Sequence, residues 1–193
     1  MNRIYILASI AIAALTLQGC AFNPQQANLA PSLNIAASTE GKNIPIGIRV
    51  IDDRPSKSLG RRSNGMIQAA EITAAQDLAV VVKQQLMDGL RKKGFDPVEF
   101  NEKNKTNLTF EIRLLEYSTS QGFFTGGVEV KGAIKAHATH ASDNYDHMYR
   151  SDEEERVIIV PTAESNEKLI NTSLSELLNK ILEDTSLIKF LEG

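Results

Sequence analysis

The first dense apolar pattern in the chain predicts a β-strand at residues 44–51. Ile46, Ile48 and Val50 alternate with residues that are small, charged or turn-forming. This period of two is typical of a strand with one buried face. A loop rich in charged and turn-forming residues follows, and residues 66–72 are predicted to pair back as a second strand.

Three longer strands are predicted in the second half of the chain, at residues 108–114, 128–139 and 145–156. The first carries apolar side chains at every second position: Leu108, Phe110, Ile112 and Leu114. The second alternates in the same way, and turn-forming residues separate each strand from the next. Successive strands joined by turns form an antiparallel meander, whose polar face can meet water.

Two long amphipathic helices are predicted from apolar residues spaced by three and four. The stripe of the first is Leu78, Val81, Val82, Leu86 and Leu90, and that of the second is Leu169, Ile170, Leu174, Leu177, Leu178, Ile181 and Leu182. Thr73 or Asp77 can cap the first helix, Gly94 can end it, and Thr162 can cap the second. The pattern therefore predicts an α+β domain of two layers, an antiparallel sheet of about four to five strands with both helices on one face.

A short apolar run at the start of the chain predicts a signal peptide. Ser9 and Thr16 are the only polar members of residues 4–17, and the single charge of Arg3 precedes them. A membrane-spanning helix needs about 20 apolar residues, so this run is too short to span. A charged start, a short apolar stretch and small residues before a cleavage point are the parts of a secretory signal.

Cys20, the only cysteine, closes this region directly after Gln18 and Gly19. The arrangement resembles the signal of bacterial lipoproteins, in which the cysteine is joined to diacylglycerol, becomes the first mature residue and is acylated again with chains such as palmitate. Two or more chains anchor a protein firmly, whereas one binds marginally. Because Ala21 rather than Asp follows, the resemblance implies the outer membrane, periplasmic face. The alternative is an ordinary secretory signal or signal anchor with an odd cysteine.

These features divide the chain into three predicted parts. Residues 1–19 are a signal peptide that is removed, residues 20–43 are the lipidated cysteine and a flexible tether, and residues 44–193 are a periplasmic α+β domain. The tether is rich in Asn, Gln, Ser, Pro and Ala, and at its length it would hold the domain about 25–30 Å from the membrane. Part of it, residues 33–37, can add an edge strand.

The charge balance argues against a nucleic-acid partner. The chain carries 24 acidic and 21 basic residues, a formal net charge of −3, which gives no general attraction to a polyanion. With a single cysteine, no disulfide can form within the chain. The domain must therefore depend on its apolar core for stability.

Two short motifs resemble one family of bacterial lipoproteins. The first begins with Asp77 and Leu78 and ends with the Lys-Gly-Phe of residues 93–95, and the second comprises residues 182–187 and Phe190. They are similar to the YajG family of uncharacterised bacterial lipoproteins over almost the whole domain. The resemblance implies a periplasmic α+β domain on an outer-membrane lipid anchor. It implies no reaction, cofactor or catalytic residue, since no activity is established for the family.

The residues themselves form no catalytic or metal-binding pattern. His137 and His140 are three positions apart, which on a strand places them on opposite faces. Neither a second cysteine nor a His-Glu-x-x-His motif accompanies them, so no metal or cofactor is predicted. The serines lack a Gly-x-Ser-x-Gly motif, and the acidic run at residues 153–155 is typical of a solvated surface. We therefore predict that the protein is not an enzyme.

The loop of residues 52–62 is the first candidate binding site. It places Asp52 and Arg54 directly after the first strand, with Arg61 further along. A structural role, in which Asp52 bonds loop amides and pairs with Arg54, is favoured over a functional one. In the functional alternative, the arginines grip a carboxylate or phosphate of a glycan, lipid or partner.

Phe123 and Phe124 are the second candidate. They stand between Gly122 and Gly126, at the predicted tip of a hairpin. We favour an arrangement in which the two phenylalanine side chains fold back onto the sheet. If exposed, the pair would form an apolar contact for a protein partner or a lipid.

The chain combines a predicted lipid anchor, a tether and a compact domain that has no recognisable group of catalytic residues. This combination favours a non-catalytic binding or accessory factor of the cell envelope. Its open sheet face or edge would receive a protein partner by packing or strand addition. The alternative is a glycan- or lipid-acting enzyme or ligand binder that uses the loop of residues 52–62. A structural tether to peptidoglycan is a third option. A deep polar pocket lined by Asp52 and Arg54 would favour a ligand, and a flat sheet flanked by exposed aromatic residues would favour a protein.

Overall fold

The computed structural model describes residues 24–62, 70–121, 126–157 and 162–193. Within these ranges it contains one mixed sheet and three helices. The strands are β1 (Gln25–Ala27), β2 (Pro45–Asp52), β3 (Gly60–Arg62), β4 (Ala70–Ala74), β5 (Asp96–Glu99), β6 (Thr106–Gln121), β7 (Gly126–His140) and β8 (Asp143–Val157). The helices are α1 (Leu78–Lys92), α2 (Ala163–Glu183) and α3 (Thr185–Glu192).

The sheet is built around β6. β7 pairs antiparallel along its whole length on one edge. The other edge is shared: β2 pairs parallel with its first half, and β3 joins further along, where Gly60 lies opposite Tyr117. Beyond these strands, β5 pairs parallel with β2, β4 antiparallel with β3, β1 parallel with β4, and β8 antiparallel with β7.

The α+β class and the meander of β6, β7 and β8 are confirmed, whereas the simple antiparallel sheet of four to five strands is wrong. The sheet is mixed and has eight strands in the described ranges. A period of two shows which residues of a strand are buried but not the direction of its neighbour. The short strands β3 and β5 are also too brief to show a period.

Both long helices lie at their predicted positions, and local caps define their ends. The Asp77 carboxylate accepts a bond from the N–H of Val80, and the Thr162 hydroxyl accepts one from Ser165, each at 3.1 Å. α1 packs on β2, and α2 packs on β7 and β8. The helices approach closely at Gly89, where a Cβ would lie 2.2 Å from the Leu182 side chain. The helix-bearing face of the sheet is therefore the core.

A bulge in β6 changes which side chains face this core. The β6/β7 register shifts between Ile112 and Leu114, which leaves Arg113 without a residue opposite it. Ile112 is buried before the bulge, and Leu115 and Tyr117 are buried after it. The predicted inward position of Leu114 is wrong, because one extra residue moves every later side chain to the other face.

The segment predicted as a flexible tether lies along α2 instead. Backbone N–H groups of Asn28, Ala30, Ser32 and Asn34 donate to the side chains of Glu167, Asn171, Ser175 and Asn179, at 2.7, 2.8, 2.9 and 2.9 Å. Helix residues four apart share a face, and alternate N–H groups of an extended chain point the same way. The side chains of α2 thus supply the hydrogen-bond acceptors that a neighbouring strand would otherwise provide.

This docking continues to the end of α1, where the N–H of Ser38 donates to the carbonyl of Lys92 at 2.8 Å. The alternate side chains of the segment, including Leu29, pack on the core. A flexible tether is therefore wrong for residues 25–43, and the folded part begins at β1 rather than at residue 44.

Replacing Asn171 and Asn179 together with alanine is expected to lower the free energy of unfolding by about 1–3 kcal/mol, because two backbone N–H groups lose their acceptors. Hydrogen exchange should accelerate at Ala30 and Asn34. Lys168→Ala, on an exposed turn of the same helix, is the matched control. Unchanged exchange at both amides would show that the ladder does not hold the segment.

Candidate functional site

The predicted loop after β2 closes on a buried ion pair between Arg54 and Asp52. The Arg54 side chain is 4% exposed. Its Nε donates to Asp52 Oδ1 at 2.8 Å and its Nη2 to Oδ2 at 3.0 Å. Its Nη1 donates to the carbonyls of Ser58 and Leu115, each at 3.4 Å. This bidentate, charge-assisted arrangement joins the loop to β6.

The environment of Asp52 favours its charged form. Burial alone would raise the pKa of this carboxyl, but hydrogen bonds from Arg54 and Lys57 outweigh it and hold the pKa below its ordinary value. The Lys57 ammonium also donates to the Asp52 carbonyl at 2.8 Å. The carboxylate is therefore occupied by two cations of its own loop.

The loop returns to the sheet at Gly60 through a conformation that other residues rarely adopt. Gly60 has a φ of +132°, and a Cβ there would lie 1.9 Å from the carbonyl oxygen of Tyr117. The preceding residue, Leu59, is buried and donates its N–H to the carbonyl of Ile72 at 2.8 Å. Both ends of the loop are thus held against the sheet.

Two open clefts flank this loop. The first, of about 500 Å³, runs along β6 and includes Arg61, Glu71, Arg113 and Glu116 in its lining. The second, of about 620 Å³, lies toward the start of α1, and its lining includes Asp52, Arg54, Lys57, Glu71 and Asp77. The lining of the second contains the predicted pair, but the Asp52 and Arg54 side chains bind each other.

Of the other arginines of the region, Arg61 and Arg113 line the first cleft, whereas Arg62 does not. Arg61 is exposed and lies opposite Glu71 in the β3/β4 pairing. The next residue, Arg62, is buried on the core side. Arg113 projects from the bulge and makes ion pairs with Asp53 and Glu111. Of the predicted residues, Arg61 is therefore the one whose exposed side chain can meet a ligand in the first cleft.

A buried polar chain ties the start of the domain to its core. The Tyr117 hydroxyl donates to Asn166 Oδ1 at 2.7 Å, Asn166 Nδ2 donates to Gln25 Oε1 at 3.0 Å, and Gln25 Nε2 donates to the Ala163 carbonyl at 2.6 Å. Burial raises the pKa of Tyr117 to about 12, so its phenol stays neutral. Each of these polar groups is paired, which is the condition for stable burial.

A second cluster, which the sequence did not predict, surrounds Asp184. Its Oδ2 accepts hydrogen bonds from the hydroxyls of Tyr145 and Tyr149, at 2.7 and 2.6 Å. Its Oδ1 accepts from the N–H groups of Ser186 and Leu187, which caps α3. Two tyrosines four apart on one strand share a face, and this spacing is the sequence signal that could have shown the cluster.

Several predicted sites lie outside the described residues. These are the signal peptide at residues 1–19, Cys20, and the Phe123 and Phe124 pair. In the ranges that the structure describes, no three His, Cys, Asp or Glu side chains gather as a metal site, and no helix has the length and apolar character needed to span a membrane.

Residues 31–192 match the model of a family described as uncharacterised lipoproteins. No curated protein sequence matches the chain. Solved structures with a similar fold include a protein from Xanthomonas campestris, at 9% identity, 84% coverage of this chain, 96% of that chain and a TM-score of 0.58. A minor lipoprotein from Acinetobacter baumannii is also found, at 7% identity, 77% and 96% coverage and a TM-score of 0.48.

At 9% identity, the likeness to the Xanthomonas campestris protein shows a shared fold alone. The family match is different, because it extends from the docked segment to the end of α3 and so covers nearly all of the described domain. The chain therefore belongs to the YajG family of uncharacterised lipoproteins.

Proposed function

We propose that this protein is an outer-membrane lipoprotein, lipidated at Cys20 and facing the periplasm, that binds another envelope protein and catalyses no reaction. Its membership of a lipoprotein family and the single cysteine after a short apolar run support the anchor. The observation that carries the binding role is the large, exposed, charged face of β6, β7 and β8.

This face lies opposite the helices and alternates in charge. The ammonium of Lys131 lies 2.7 Å from the Glu129 carboxylate. The Asp146 carboxylate lies 2.9 Å from Lys135 and 3.1 Å from His137, and these hydrogen bonds lower the pKa of Asp146. Complementary charges across a protein interface give specificity more than raw affinity.

The docked segment shortens the connection to the membrane. Gln25 is held to the domain by Asn166 and by the Ala163 carbonyl. The free part of the connection is therefore the five residue steps between Cys20 and Gln25. Fully extended, five residues span at most about 18 Å. The domain is thus held closer to the bilayer than the 25–30 Å expected for a free tether of 23 residues.

In this proposal, the end of the domain that carries Gln25 faces the membrane. Through the strand pairing, Gln25 is level with Gly60 of β3 and Glu153 of β8, nearer the end of the sheet at which β6 and β8 finish. The opposite end carries the β7/β8 turn at Ala141, which bonds the carbonyl of Lys105. The strands of the charged face therefore run away from the bilayer, which leaves this face open to a periplasmic partner.

A photo-crosslinking amino acid at Lys131 in the full-length lipoprotein tests this role. Irradiation of intact cells should give one defined crosslinked protein, because Lys131 lies at the centre of the charged face. The same substitution at Lys92, exposed at the end of α1, should not give this product. Absence of a defined product at Lys131, or identical products at both positions, would contradict the proposal.

The first cleft supports a second candidate function, the binding of an anionic glycan or lipid headgroup. Arg61 is exposed at its wall, and Arg113 contributes a second guanidinium. Titration calorimetry with a peptidoglycan disaccharide-peptide and with a short-chain anionic phospholipid tests it. Binding that is lost in Arg61→Ala would support a ligand site, and no heat with either compound would count against it.

A further inference from the structure

β8 ends the sheet on one side. In the part of the chain that the structure describes, β8 pairs with β7 and with no other strand. Its 15 residues therefore leave one row of backbone N–H and C=O groups without a strand partner. A long edge of this kind is a template for another strand, and natural proteins usually shorten, charge or cover it.

One side chain partly covers this edge. Lys180 of α2 donates to the carbonyl of Arg150 at 2.9 Å, and it also forms an ion pair with Glu176. Its side chain is 48% exposed and has a flexible stem. The ammonium can therefore withdraw to Glu176 when another donor takes the carbonyl.

The two faces of β8 differ in character. Tyr149 and Ser151 are buried under the helices, and the Ser151 hydroxyl lies 2.7 Å from that of Ser173 in α2. The alternate residues are on the charged face. Its exposed ionic side chains along β8 are Asp146, Arg150, Asp152, Glu154 and Arg156.

We propose that β8 pairs with β8 of a second copy of this chain, antiparallel about a two-fold axis at Ser151. In this register Arg150 lies opposite Asp152 of the second copy, and Asp146 lies opposite Arg156. Symmetry repeats each pair, so four opposite-charge pairs form across the junction. Directly opposite charges on one face stabilise an antiparallel pair. The order of charges along β8 is thus complementary to the same order in a second β8 that runs in the opposite direction.

Neighbouring registers lack this complementarity. An axis one residue away, at Arg150 or Asp152, sets a charged side chain against its own copy. An axis two residues away sets Asp146 opposite Asp152, or Arg150 opposite Arg156. An axis between two residues would bring side chains of opposite faces together, which the pleat forbids. Among the registers within two residues of each other, the charges therefore favour the axis at Ser151, which forms the four opposite-charge pairs.

Charge reversal at the junction tests the proposal in the full-length chain purified in detergent, with native mass spectrometry as the readout. Arg150→Asp and Asp152→Arg should each weaken the dimer about tenfold or more, because two attractive pairs become repulsive. The double variant Arg150→Asp/Asp152→Arg should restore it. An equal mixture of the two single variants should form heterodimers, since each of the two central pairs then joins one acidic and one basic side chain.

Circular dichroism and melting temperature establish that each variant is folded, and Arg91→Asp on α1 is the matched control for charge. A monomeric wild-type chain would overturn the proposal. So would a dimer that both single variants leave unchanged, or a mixture of single variants that forms no heterodimer.

Discussion

Replacing Asp52 with alanine is expected to destabilise the fold by about 3–5 kcal/mol, because it leaves the buried Arg54 guanidinium without its counter-charge. For a domain of this size, the melting temperature should fall by on the order of 10 °C. Thermal and urea unfolding measure the effect. Asp53→Ala, one residue further on, is the matched control: its side chain is 53% exposed, and its pair with Arg113 contributes about 1 kcal/mol or less.

The comparison also separates the two roles considered for this loop. If Asp52 and Arg54 served a ligand rather than the fold, Asp52→Ala would abolish ligand binding and leave the melting temperature near that of wild type. An Asp52→Ala variant as stable as Asp53→Ala would therefore contradict the structural role.

Replacing Asp184 with alanine is expected to lower the free energy of unfolding by about 2–4 kcal/mol. The change removes the cap of α3, which contributes about 1 kcal/mol. It also removes the acceptor of two tyrosine hydroxyls, including that of the buried Tyr149, at about 1–3 kcal/mol for a group left unpaired. Urea unfolding measures the loss, with Asp143→Ala, an exposed carboxylate at the start of β8, as the control. Equal stabilities would show that the cluster contributes little.

The same carboxyl makes stability depend on pH. Burial alone would raise the pKa of Asp184, but hydrogen bonds from Tyr149, Tyr145 and the α3 backbone bring it below its ordinary value. A carboxyl with a lower pKa in the folded state stabilises the fold above its unfolded pKa of about 3.9. That contribution is lost as the pH falls through the folded pKa. Asp184→Asn should therefore show a smaller loss of stability than wild type over this acidic range, and an unchanged pH profile would contradict the assignment.

The helices were predictable because their signals are local. The apolar stripe repeats every three or four residues, and Asp77 and Thr162 stand one position before the first helical turn, where their oxygens can accept free N–H groups. The long strands β2, β6 and β7 were predictable in position because their apolar residues recur at every second position. Their partners were not, because the parallel pairing of β2 with β6 forms across β3, β4, α1 and β5.

Two errors have a non-local physical cause. Residues 25–43 have the composition of a linker, but the N–H of Ala30 finds its acceptor in Asn171, 141 positions later. Leu114 continues an apolar alternation, but the bulge at Arg113 turns it away from the core. Neither the distant acceptor nor the extra residue leaves a periodic signal in the segment concerned.

The candidate site was predictable in part. Asp52 and Arg54 are two residues apart after a strand, and their pairing follows from that proximity. Burial of this pair was not predictable, since it depends on contact with the Leu115 carbonyl of β6. The cluster at Asp184 likewise forms only when β8 meets the junction of α2 and α3.

Mass spectrometry of the protein extracted from outer-membrane fractions tests the central claim most directly. We expect a mature chain that lacks residues 1–19 and begins at a Cys20 carrying diacylglycerol and a further acyl chain. The Cys20→Ala variant should be lost from the membrane fraction. A full-length chain with residues 1–19 attached and an unmodified Cys20 thiol would contradict the account.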